Sequence, residues 1–158
     1  MRESAIVAAV RAAVAGAAEQ PAVVTPHAGP ALTYAELERR AAAAAAYIAQ
    51  RARGDVVGLL LPNAPVFSWS LLGALWAGKT VAVLPTLAPP PLLGLMAAEA
   101  GLQMVVTAGE FSPRLSESRA EPLLVEQFPA EPGREVGLAS RAQDATVLLY
   151  TSGTTGRP

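Results

Sequence analysis

The 158 residues contain no cysteine, which excludes a disulfide framework, a thiolate metal site and a cysteine nucleophile. A cysteine-free chain fits a cytoplasmic location. Histidine occurs once, at His27, within the turn Pro26-His27-Ala28-Gly29-Pro30, where a solvated loop residue is expected rather than a catalytic base. Lysine also occurs once, at Lys79, and the remaining eleven of the twelve basic residues are scattered arginines. The net charge is −1 and no basic run is present to neutralise successive phosphates, so nucleic-acid binding is not expected. No two carboxylates have a spacing that suggests paired acid–base work.

Long apolar runs are also short of what a membrane requires. Met1 to Gly16 is interrupted by Glu3 and Arg11, which breaks the apolar core that a signal peptide needs. Val66 to Leu84 approaches spanning length, but Pro65 starts it, Gly78-Lys79-Thr80 breaks it and its second part is β-rich. A buried helix followed by a buried strand is expected there, and no membrane span. Charged residues make up only 16% of the chain against 52% hydrophobic, so a folded core rather than disorder is expected. The length suits one domain. Much of the apolar content is alanine, so the core must rest on Leu, Val, Ile, Phe and Trp.

What is present alternates in type along the chain. Residues 4–18 read as an amphipathic helix with Ile6, Val7, Val10 and Val14 on one side. Pro21 ends it, and Ala22 to Thr25 is a short strand. Thr33-Tyr34-Ala35-Glu36 has capping-box spacing: the Thr33 hydroxyl accepts from the Glu36 amide and the Glu36 carboxylate reaches back. Leu37, Ala41, Ala44 and Ile48 then recur at helical spacing, with Gly54 placed as a left-handed C-cap. Val56 to Leu61 is apolar without alternation, as in a strand buried on both faces. A helix to Ala77 follows, closed by Gly78. Residues 80–84 give a strand, 92–99 a helix stopped by Gly101, and 103–107 another strand. Further strands are expected at 123–125 and 146–150. Strands alternating with helices imply an α/β fold built on a largely parallel sheet. Trp69 and Trp76, seven apart, share a helical face and are expected in the core, while Lys79 meets the dipole of the helix before it.

The last strand runs directly into Thr151-Ser152-Gly153-Thr154-Thr155-Gly156. Two glycines let a backbone approach a ligand closely, successive N–H groups form a concave anion site, and the hydroxyls add donors. This composition suits a polyphosphate. It is not a Walker A loop, which needs four residues between its glycines where this chain has two.

Leu148 to Pro158, LLYTSGTTGRP, closely resembles the AMP-binding signature of the adenylate-forming superfamily, which comprises acyl-CoA synthetases, peptide-synthetase adenylation domains and luciferases. Leu32 to Leu37, Val57 to Asn63, and Gly73 to Gly78 followed by Val81 to Pro85 are similar to three further family segments, in the same order. Lys79 replaces the family's usual small residue, and Thr86 to Pro91 replaces its usual continuation after Pro85.

The resemblance implies that the chain is the first subdomain of a larger adenylation domain, ending inside its phosphate-binding loop before the family's Lys-Gly. It implies that Thr151, Ser152, Gly153, Thr154, Thr155 and Gly156 hold the β- and γ-phosphates of ATP, with Mg2+ as the companion cation. A substrate carboxylate would attack the α-phosphorus, and a thiol, CoA, would then displace AMP. Positioning and charge stabilisation dominate such chemistry. The family's adenine, magnesium, ribose and catalytic-lysine positions lie beyond residue 158. No catalytic residue is therefore assigned here, and the isolated chain is expected to be inactive and to self-associate. A stand-alone, non-catalytic binding or assembly module remains the alternative.

Overall fold

A computed structural model describes residues 5–26, 31–131 and 147–150. Helix α1 (Ala5–Ala17) packs on the two helices that follow it, Tyr34–Arg51 and Pro65–Trp76. Only Val7 of its expected stripe is fully buried, and Ile6 stays 43% exposed, because α1 touches the core along a narrow edge. Strands β1 (Pro21–Val23) and β2 (Leu32–Thr33) form a two-stranded antiparallel pair. The first strand thus ends sooner than expected, and Val24 is exposed.

Helix α2 (Tyr34–Arg51) starts as its sequence dictates, with Thr33 Oγ1 accepting from the Glu36 amide at 3.2 Å. The return half of the capping box does not form. The Glu36 carboxylate is taken instead by Arg40, whose Nε donates to it at 3.0 Å, and lies 3.9 Å from Arg39. Leu37, Ala41, Ala44 and Ile48 are buried as their spacing predicts, but so are Ala43, Ala45, Ala46 and Tyr47. The alanine run is therefore wedged between neighbours rather than covering one of them. Gly54 is left-handed at φ 73°, yet it does not cap α2, which ends at Arg51 with an extended Ala52. Its turn feeds the next strand.

Strands β3 (Val56–Leu60), β4 (Thr80–Val83), β5 (Met104–Thr107), β6 (Glu121–Leu124) and β7 (Val147–Leu149) form one sheet in the order β6-β5-β3-β4-β7. Every neighbouring pair is parallel. Helix α3 (Pro65–Trp76) joins β3 to β4, and α4 (Pro90–Glu99) joins β4 to β5. The second crossover runs back past β3, and with right-handed crossovers that reversal puts α4 on the opposite face from α3. Side chains sort accordingly. Val57, Leu59, Val81, Met104, Val106 and Leu123 meet α1, α2 and α3. Leu60, Ala82 and Val105 meet Leu93, Met96 and Ala97 of α4. Burial on both faces explains the unbroken apolar runs of these strands. Leu60 and Leu93, each 0% exposed, contribute about 2 kcal/mol apiece by removal from water.

Helices α3 and α4 end on the left-handed glycines Gly78 and Gly101, as expected. Strand β6 begins before its expected start, and Val125 opens a short 3-10 turn rather than continuing the strand. Among the described residues no helix is long and apolar enough to cross a membrane.

Candidate functional site

The registers place Leu59, Val83 and Leu149 side by side at the carboxyl ends of β3, β4 and β7. The chain leaves β3 toward α3 and β4 toward α4, on opposite faces. Open parallel sheets bind ligands in the crevice at strand ends where the connections part in this way. Thr107, buried on β5, ties the neighbouring strand into this edge by donating its hydroxyl to the Leu60 carbonyl at 2.9 Å.

Tyr150 is the first residue after β7. Its ring turns onto the α4 face and packs against the cluster of Leu60, Leu93 and Met96. Its hydroxyl donates to the carbonyl oxygen of Met96 at 2.8 Å. Burial raises the phenol above its ordinary value of 10.0, and the nearby Glu99 carboxylate adds to the rise. The six hydroxyl and glycine residues proposed to hold phosphates, Thr151 to Gly156, lie outside the described residues, as does His27. The described structure pairs Leu149, at the end of β7, with Val83, at the end of β4.

Two hollows lie near the start of α3. One of about 300 Å³ is lined by Val23, Thr25, Asn63, Ala64 and Phe67. The other, of about 370 Å³, lies between Leu32, Glu36, Arg40, Pro65 and Trp69. Trp69 is only partly buried, with the Arg40 guanidinium stacked 4.7 Å from its ring centre, whereas Trp76 is 1% exposed in the core. The two tryptophans share a helix face but not an environment, because the first turns of α3 lie at the rim of the domain.

Lys79 sits at the far end of the sheet. It precedes β4, and its Nζ donates to the Gly54 carbonyl, before β3, at 2.6 Å. The chain's single lysine therefore clamps the amino-terminal edge and takes no part in the crevice. Among the described residues no group of three or more acidic or histidine side chains converges as a metal site. Sequence reasoning passed over Tyr150. An aromatic residue with a polar tip at the end of an aliphatic strand was the available signal.

The sequence matches the AMP-binding enzyme family over residues 10–158. The chain belongs to that family. One linear gramicidin synthase polypeptide from Brevibacillus parabrevis is 33% identical over 133 residues, covering 80% of this chain and 3% of that protein. A feruloyl-CoA synthase from an Amycolatopsis species is 34% identical over 143 residues, covering 84% of this chain and 28% of that protein. An O-succinylbenzoate coenzyme A synthetase from Bacillus subtilis, solved with AMP, superposes with a TM-score of 0.82 at 21% identity, over 94% of this chain and 40% of that one. The N-terminal subdomain of NpsA from Klebsiella oxytoca superposes at 0.79 with 18% identity, over 100% of this chain and 41% of that one. The family member described here is thus similar in fold to the N-terminal region of adenylate-forming enzymes. It spans less than half of each of these relatives.

Proposed function

We propose that this chain forms the phosphate-binding side of an ATP-dependent ligase that activates a carboxylate and passes the acyl group to CoA. In the first step a carboxylate oxygen attacks the α-phosphorus of ATP, the bond to the β-phosphate oxygen breaks, and pyrophosphate leaves. In the second, a thiolate attacks the acyl carbon and AMP departs. Thr151, Ser152, Gly153, Thr154, Thr155 and Gly156 hold the outer phosphates through backbone N–H groups and hydroxyls. The observation that supports the reading is the register of β7, whose last residue, Leu149, pairs with Val83 at the carboxyl end of β4, the end of an open parallel sheet at which ligands bind.

Membership of the AMP-binding enzyme family supports a first step that passes through AMP. The similarity to a feruloyl-CoA synthase favours CoA as the acceptor. Magnesium enters this reading only as the companion of the nucleotide phosphates. The described residues offer it no converging ligand set, so none is assigned to it. A cytoplasmic location, where ATP and CoA are both available, belongs to the same reading.

The test follows the amides of Thr151 to Gly156 by nuclear magnetic resonance during titration with magnesium–ATP. A loop that offers phosphates a few hydrogen bonds and little charge is expected to bind with a dissociation constant on the order of 1 mM, about 4 kcal/mol. Amides unmoved by tens of millimolar nucleotide overturn the assignment. Pyrophosphate–ATP exchange with fatty and aromatic acids is expected to stay at background for the 158-residue chain. A second reading, a non-catalytic assembly module, draws on one observation: Leu149 on β7, at the sheet edge, is 71% exposed.

A further inference from the structure

We infer that Tyr150 is a positioning residue, fixing the direction in which the chain leaves β7 for the hydroxyl–glycine loop by locking its hydroxyl to the Met96 carbonyl of α4. The inference rests on the reading of Thr151 to Gly156 as the phosphate site, and adds to it the element that holds the loop in place.

The need for such a brace follows from how weakly β7 is otherwise held. Among the described residues the strand is three residues long and pairs with β4 alone, at the edge of the sheet. Leu148 and Leu149 are 37% and 71% exposed, so two of its three side chains contribute little anchoring. Val147 alone packs against the cluster under α2 and α3. The end of β7 nearest the loop is therefore secured by one backbone ladder and by the side chain of Tyr150.

The anchor itself is rigid. Met96 lies in the last turns of α4, its side chain 5% exposed, with Leu93 and Ala97 buried beside it. Its carbonyl already accepts from the Ala100 amide at 3.0 Å, and the tyrosine hydroxyl takes the second lone pair. The bond therefore ties the end of the strand to the α4 layer that covers this face of the sheet. A tyrosine has few rotatable bonds, and a partly buried ring with its hydroxyl bonded holds one orientation. Phosphate cradles made of backbone amides need their donors placed to within about half an ångström. A brace one residue upstream of the first donor is where such placement is set.

The experiment compares the wild-type chain, Tyr150→Phe, and Leu93→Val, which loosens the same helix while leaving the hydroxyl–carbonyl bond intact. Two quantities are measured: backbone order parameters of the Thr151 to Gly156 amides without ligand, and the affinity for magnesium–ATP. Tyr150→Phe is expected to lower the order parameters of those amides and to weaken nucleotide binding roughly three- to tenfold, the range for one lost hydrogen bond. Leu93→Val is expected to change neither by more than about twofold. Equal order and equal affinity in wild type and Tyr150→Phe overturn the inference. So does a Leu93→Val variant that matches Tyr150→Phe, since general loosening would then explain both. A wild-type chain that ignores magnesium–ATP overturns the phosphate-site reading instead. The order parameters then decide the brace by themselves: unchanged in Tyr150→Phe they overturn it, lowered they support it.

Discussion

A Cβ added at Gly73 would stand 2.6 Å from the Cβ of Ala44, and 3.0 Å from the Ala41 carbonyl oxygen and the Ala45 amide nitrogen. Helices α2 and α3 therefore touch backbone to backbone, and the alanine run of α2 exists to permit it. Gly73→Ala gains about 1 kcal/mol of helix propensity but must push two helices apart, at a cost of about 1–3 kcal/mol. A net loss of about 1 kcal/mol is expected in urea unfolding, and more for Gly73→Val. An unchanged or raised midpoint for both would show that the helices separate freely.

One turn earlier, Ser70 is 0% exposed and its hydroxyl has no hydrogen-bond partner. A buried, unsatisfied hydroxyl is desolvated without compensation, whereas a methyl in its place is not. Ser70→Ala is expected to raise stability by about 1 kcal/mol. A loss of that size would mean that the hydroxyl is bonded in solution.

Tyr150 predicts how stability responds to alkali. Burial, and secondarily Glu99, raise its folded pKa above the ordinary value of 10.0. Between the unfolded and folded values the native state binds more protons than the unfolded one, so the slope of unfolding free energy with pH is negative there. The contribution is fully present below pH 10 and is lost as pH rises through the folded value. Melting temperature should therefore fall more steeply above pH 10 in the wild type than in Tyr150→Phe. Parallel curves for the two proteins would contradict this.

The outer edge of β7 predicts association. The strand is uncharged, Leu149 is 71% exposed, and Leu87 in the turn after β4 is 92% exposed. A strand edge without charges is a template for pairing, and a net charge of −1 opposes it little. Sedimentation velocity at several concentrations should show self-association, and Leu149→Lys should shift it toward monomer. A wild-type monomer independent of concentration would count against the prediction.

The sequence alone determined what depends on neighbours along the chain. Changes of pattern along the chain marked the order of strands and helices, from the helical spacing of α2 to the unbroken apolar runs of the strands. Thr33 marked the start of α2, and Gly78 and Gly101 marked helix ends, because those positions carry their own backbone requirement. The unbroken apolar runs identified strands covered on both faces, hence a parallel sheet. The hydroxyl–glycine segment was read for the same local reason, as a composition that suits phosphate, and it lies outside the described residues.

Only the tertiary structure decided what joins distant residues. Strand order put β7 beside β4 at an edge, a choice made by packing and crossover direction rather than by any property of β7 itself. The Glu36 carboxylate found Arg40 in place of the helix terminus, because an opposite charge one turn away competes with a lone N–H. Gly54 left the helix it was expected to cap, since α2 ends where Ala52 turns extended. The bond from Tyr150 to Met96 spans 54 residues, and no local pattern encodes the partner of a hydroxyl that distant. Side-chain periodicity says that a face is buried; which surface covers it is fixed only when all the faces are packed at once.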